Sequence, residues 1–162
     1  MIFRSNRFGL SKNAGLCVFF SIFVLHTTTQ PHFTMETLIT NGIKISVQPY
    51  YVPEESAPIQ QRYIHAYRIT IENMSSITVQ LLERHWVIVE SNGLQKEVRG
   101  QGVVGEQPIV KPGERFEYSS WCPLVTDFGK MYGSYTMLCI NDGSTFQVKV
   151  PRFLLHPPFK MN

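Results

Sequence analysis

The chain has 162 residues, 43% of them hydrophobic and 12% aromatic, which suits a single domain with a real core. Its formal charge of +3 is unevenly placed. Arg4, Arg7 and Lys12 precede Met35 with no acidic residue among them, and the later Lys and Arg balance the twelve Asp and Glu. A formally neutral body excludes the concentrated basic face of a nucleic-acid binder.

Residues 1–34 read as foreign to the rest. A basic start leads into an apolar run, Leu16 to Leu25, too short to span a bilayer but of signal-peptide length. No small-x-small cleavage pattern follows it. The reading adopted is translation from Met35, directly ahead of a domain over 35–162, with a targeting segment as the alternative. Cys122 and Cys139 are the only pair available to the body, which is no disulfide framework. A reducing, cytoplasmic setting is therefore expected.

From residue 42 the chain reads as strands joined by turns. Ile43, Ile45 and Val47 alternate with Lys44, Ser46 and Gln48. Residues 51–61, with Pro53 and Pro58, form a loop. Residues 62–74 place Tyr63, His65, Tyr67, Ile69 and Ile71 on one face. Residues 77–90 form a long strand whose period slips near Leu82 to Arg84, which predicts a bulge. Asn92-Gly93 is a hairpin signal, returning through 94–99. Further strands are predicted at 114–121, 131–140 and 144–150, the last two joined at Asn141-Asp142-Gly143, before an extended tail. Seven short strands without helical periodicity predict an all-β, two-sheet sandwich.

Gly100, Gly102 and Gly105 spell GxGxxG, but the pattern follows a charged strand and opens no helix, so it is no dinucleotide fingerprint. Two readings remain. In one, backbone N–H groups of the loop form an anion-binding nest, with Arg99 supplying charge-assisted bonds to phosphate. In the other, the loop crosses between sheets with Val103 and Val104 as a plug.

No metal site is expected, because His65, His85, Glu83 and Cys122 lack ligand spacing and His85 should point outward if Trp86 points inward. No enzyme and no cofactor are expected either. Cys122, Ser119, Ser120, Glu117 and Asp127 have no catalytic context. Trp121, Phe128, Tyr132 and Tyr135 surround the loop 122–133, and the first three are candidates for anchoring a protein partner, with core packing as the alternative.

Several segments together resemble one family. They are Arg84-His85-Trp86, Arg99 to Pro108 (RGQGVVGEQP), Pro112-Gly113-Glu114 and Phe116 to Ser120. The series continues with Pro123-Leu124, Thr126, Gly129, Met131, Gly133 and Tyr135. In this order they are similar to the ApaG family over about residues 36–158. The resemblance implies an immunoglobulin or fibronectin type III-like sandwich and a bacterial, cytoplasmic protein. It also implies kinship with domains attached to F-box and DNA-polymerase-interacting proteins. It brings associations with diadenosine tetraphosphate hydrolysis by gene neighbourhood and with cobalt resistance and magnesium efflux by phenotype. A nucleotide or pyrophosphate has been suggested as ligand for the glycine loop. These features together lead to the expectation of a non-catalytic binding or regulatory module, with a protein–protein interaction domain as the alternative.

Overall fold

The computed structural model describes residues 35–158, which form two antiparallel sheets packed as a sandwich. The expectations about residues 1–34 fall outside the described residues. The first sheet has the order β1 (Glu36–Thr40), β2 (Ile43–Tyr51), β3 (Tyr63–Asn73), β7 (Arg115–Leu124). The second has the order β5 (Gln95–Gln101), β4 (Val79–Glu90), β8 (Gly129–Cys139), β9 (Thr145–Leu155), and the two-residue β6 (Ile109–Val110) also pairs with β4. Among the described residues, no helix is long and apolar enough to cross a membrane. Two single-turn 3-10 helices, Pro53–Glu55 and Pro58–Gln60, interrupt the loop after β2.

Among the described residues nine strands stand where seven were expected. The extra ones are β1, which is largely exposed, and β6, which is too short to show a period. The alternation read in β2 holds, with Ile43, Ile45 and Val47 fully buried. In β3 the expectation is half met. The predicted inner face is buried from His65 onward, with Tyr63 partly so, but Ile64 and Ala66 on the other face are buried too.

The long strands change parity, and bulges make that workable. Val79 and Leu81 are core residues at odd positions, whereas Trp86 and Ile88 are core residues at even ones. The register of β4 against β8 shifts between Leu81 and Glu83, so one extra residue turns the even positions inward. The same event occurs in β9. Gly133 pairs with Val150 and Met131 with Phe153, so three positions of β9 match two of β8. Phe146, Val148 and Val150 are thereby followed inward by Phe153 and Leu155, and the tail expected to be merely extended is a strand as far as Leu155.

The core is aromatic at its centre. Trp86 meets Tyr67, Tyr135 and Phe153 at ring centroid distances of 5.8, 5.9 and 6.2 Å, all edge-on. Tyr118 of the first sheet and Tyr135 of the second share a buried hydrogen bond of 2.6 Å between their hydroxyls. Buried Asn73 ties the end of β3 to the second sheet. Its Nδ2 donates to the carbonyls of Ile77 and Val110, and its Oδ1 accepts from the N–H and hydroxyl of Ser75. The chain crosses between sheets at Lys111 to Glu114, where Gly113 takes a φ of +77°. The glycine loop does not make that crossing, since it joins β5 to β6 and both pair with β4. The reading of that loop as an inter-sheet connection is therefore corrected.

Candidate functional site

Residues 101–108 fold into a small closed structure beside the bulge of β4. Gly102 donates its N–H to the carbonyl of Leu82, the bulged residue, at 2.8 Å. Val103 and Glu106 then bridge each other, N–H to carbonyl in both directions, at 2.8 and 2.9 Å. Between them, Val104 (φ +45°) and Gly105 (φ +84°) are both left-handed, the requirement of a type I′ hairpin turn. Val103 is fully buried and plugs the core, while Val104 stands out in solvent, so only one of the two expected plug residues serves as one.

The glycines have individual causes. Opposite Gly100 in the register lies Arg84, inward like Trp86 because of the bulge. Its guanidinium lies 3.2 Å from where a Cβ on Gly100 would stand, so a side chain there would press on it. Arg84 donates to the carbonyls of Gln101 and Gly102 at 2.9 and 2.7 Å. A Cβ on Gly102 would overlap the carbonyl oxygen of Glu106, and its φ of +57° favours glycine as well. Gln107 adds a bond from its Nε2 to Leu82 O. The N–H groups of Gly102, Val103 and Glu106 are thus engaged internally.

Arg99 belongs to a different face. Strand alternation sends Glu97, Arg99 and Gln101 to the outer side of the second sheet. There they stand opposite Val87, His85 and Glu83 of β4, with Ser134 and Thr136 of β8 beyond. Of these, Glu83, His85, Arg99, Gln101, Ser134 and Thr136 line an open groove of about 520 Å³, together with Arg84, Gly100 and Gln147. His85 is outward and Trp86 inward, as the sequence implied. Its Nε2 lies 2.9 Å from Glu97 Oε2, and the Arg99 guanidinium reaches the same oxygen at 3.6 Å. His85 first, and then Arg99, hold the Glu97 carboxyl below the usual carboxylate range. The Arg99 side chain remains 73% exposed above the groove.

The three aromatics expected near one loop do not share a surface. Trp121 is 67% exposed on the outer face of the first sheet, in one row with Tyr50 and Ala66. Tyr132 projects from the outer face of the second sheet, opposite Val87. Phe128 lies in the loop between β7 and β8, its ring stacked on His156 at 6.1 Å. That loop is held by a residue the sequence reading passed over. The carboxylate of Glu90, buried at the end of β4, accepts the N–H groups of Val125 and Thr126 at 2.8 and 3.0 Å and pairs with Lys96 at 3.1 Å. Burial alone would raise its pKa, but Lys96 and the two amides outweigh that and lower it.

His65 and Cys122 are cross-strand neighbours facing inward, not surface groups. Burial, and secondarily His156, brings the His65 imidazole down to about 4. Burial pushes the Cys122 thiol up to about 11, which leaves it an unreactive protonated thiol at neutral pH. Cys122 and Cys139 are both free. Among the described residues, no group of three or more His, Cys, Asp and Glu is placed to hold a metal ion. The sequence carried a usable sign of Arg84, because an Arg two residues before an inward Trp must also face inward. Nothing comparable pointed to Glu90.

Comparison with known proteins follows the same lines. A model of the ApaG domain matches residues 53–139. Protein ApaG of Brucella anthropi is 51% identical over 124 residues, spanning 76% of this chain and 95% of that protein. Its counterpart in Brucella canis is 48% identical over the same spans. Among solved structures, the chain is similar to the crystal structure of an ApaA protein from Bordetella pertussis, with a TM-score of 0.69 at 47% identity, covering 72% of this chain and 94% of that one.

Proposed function

The chain belongs to the ApaG family, and on that premise we propose that it is a non-catalytic binding and regulatory module. The observation that carries this reading is the contrast between the interior and the groove. The buried titratable groups, Glu90, His65, Cys122, Tyr118 and Tyr135, are occupied in packing or in holding loops. The groove instead offers an exposed guanidinium, an imidazole, the Glu83 carboxylate, hydroxyls and amides, groups suited to recognising a polar ligand.

The ligand class that fits best carries phosphate. Arg99 supplies charge and a bidentate fork, Ser134, Thr136 and Gln147 supply neutral hydrogen bonds, and Gly100, Gly102 and Gly105 shape the adjoining loop. With several loop N–H groups already bonded, recognition rests on the side chains more than on a backbone nest. Pyrophosphate or a dinucleoside polyphosphate, titrated while amide shifts of residues 83–85, 99–107 and 134–136 are followed, tests the reading. Saturable shifts that vanish in Arg99→Ala support it, and flat shifts at millimolar ligand end it.

A second reading has its own observation. Tyr50 and Trp121, exposed on either side of the buried Ala66 in one row of the first sheet, form an aromatic surface suited to a protein partner, with Phe128 held in the β7–β8 loop. Loss of co-purifying partners in a folded Trp121→Ala variant would favour it. The cobalt and magnesium associations of the family enter through such a partner in this proposal, not through ions held by this chain.

A further inference from the structure

Strand β5 ends the second sheet with all but one of its seven residues exposed. Which of its backbone groups are free follows from the bonds at either end of its hairpin. Glu90 N–H donates to Leu94 O at 2.9 Å, and Gly102 N–H donates to Leu82 O at 2.8 Å. Alternation between these points directs the N–H and C=O groups of Lys96, Val98 and Gly100 at β4. Those of Gln95, Glu97 and Arg99 point away from the sheet, and no described strand pairs with them. Free edges of this kind are templates for another strand.

The side chains along that edge read almost the same from both ends. The strand is Gln95-Lys96-Glu97-Val98-Arg99-Gly100-Gln101. If two copies meet antiparallel about a two-fold axis through Val98, Glu97 of each faces Arg99 of the other. Gln95 then faces Gln101, Lys96 faces Gly100, and the two valines face each other. Glu97 and Arg99 also belong to the outward set whose backbone groups are free, so their pairs are the hydrogen-bonded ones. Moving the axis to Glu97 sets two carboxylates together, and moving it to Arg99 sets two guanidinium groups together. An odd shift puts the outer face of one copy against the inner face of the other. Parallel pairing aligns like charges and leaves the assembly open-ended. Val98 supplies the apolar contact. It points inward, yet it is 42% exposed, with no strand over it among the described residues.

We propose that β5 is a self-recognition edge, and that two copies of this chain join through it into one continuous ten-stranded sheet with two-fold symmetry. Charge complementarity selects the partner, since a generic strand would not match an alternation of Lys, Glu and Arg. The same charges make the edge reject other registers, so the device gives a closed dimer and not a fibre. A contact of one strand width is small, so the dimer is concentration-dependent. It does not rest on the ligand reading of the groove, although Arg99 takes part in both.

Sedimentation over a concentration series tests this with Glu97→Arg, Arg99→Glu, and an equimolar mixture of the two. The side chains concerned are exposed, and circular dichroism checks that each variant keeps the fold. The wild type should move toward twice the chain mass of 18.6 kDa as concentration rises. Each single variant turns two attractions into two repulsions and should dimerise at least about tenfold more weakly. The mixture sets two Arg against two Glu and should recover the dimer. A wild type that stays monomeric overturns the proposal. Variants that dimerise equally well, or a mixture that stays monomeric, also overturn it.

Discussion

His65 lies against the ring of Tyr51 at 5.3 Å with 1% exposure, and its Nε2 is buried with no hydrogen-bond partner among the described residues. Its folded pKa of about 4 lies below the unfolded value of 6.5, so the unfolded chain takes up the proton first. The stability concerned is present above pH 6.5 and lost as pH falls toward 4, about 3 kcal/mol in all. Urea unfolding compared at pH 7 and pH 5 should show this loss, and His65→Phe should flatten it. Val104 is strained in another way, being β-branched at a φ of +45°. Val104→Asn makes an Asn-Gly turn of the required type and should stabilise the fold by about 1 kcal/mol in urea titration. The glycine spacing was legible as a marker of unusual backbone. Its reasons were not, because Gly100 answers to Arg84 and Gly102 to Glu106, contacts set only when strands pair.

At the scale of elements, the strands were easiest to read where parity was constant, as in β2, β7 and β8. They were hardest where a bulge reversed it. The slip in β4 showed because Leu81 and Trp86 both demand burial, whereas in β9 Pro151 and Arg152 disguised the change and hid the last strand turn. The β7–β8 loop illustrates the other gap. Its aromatics suggested one surface, but Trp121 and Tyr132 fall on strands of different sheets and point oppositely. What positions Phe128 is the Glu90 clamp, and removing it should release the loop. Glu90→Ala leaves the Val125 and Thr126 amides and Lys96 without their acceptor, and should cost about 3 kcal/mol with faster amide exchange at both residues. Since the Glu90 pKa is lowered by folding, its share of stability is present at neutral pH and is lost only as pH falls below the ordinary value of 4.5.

Taken whole, the molecule is two sheets joined at their centre by a pair of hydroxyls, Tyr118 to Tyr135. Burial raises both phenols, so neither ionises while the sandwich is intact. Tyr118→Phe leaves the Tyr135 hydroxyl in the core without its partner and should lower stability by about 1–2 kcal/mol, measured by thermal unfolding at neutral pH. Fold class, core faces and the neutral charge balance were legible from the chain, since each depends on local pattern. The groove, the aromatic row and the β5 edge were not, because each is assembled from strands distant in sequence.

The Val104–Gly105 tip has a practical corollary. The Val103–Glu106 bridge and the hold of Arg84 close the chain below the tip, while the tip itself faces solvent. Inserted residues would emerge from an already fastened base, and each doubling of their number would cost only about 0.6 kcal/mol in loop closure. The segment long suggestive of a cofactor motif is therefore the natural port for grafting an epitope or fluorophore, whereas lengthening at Gly100 or Gly102 would break the fastening itself.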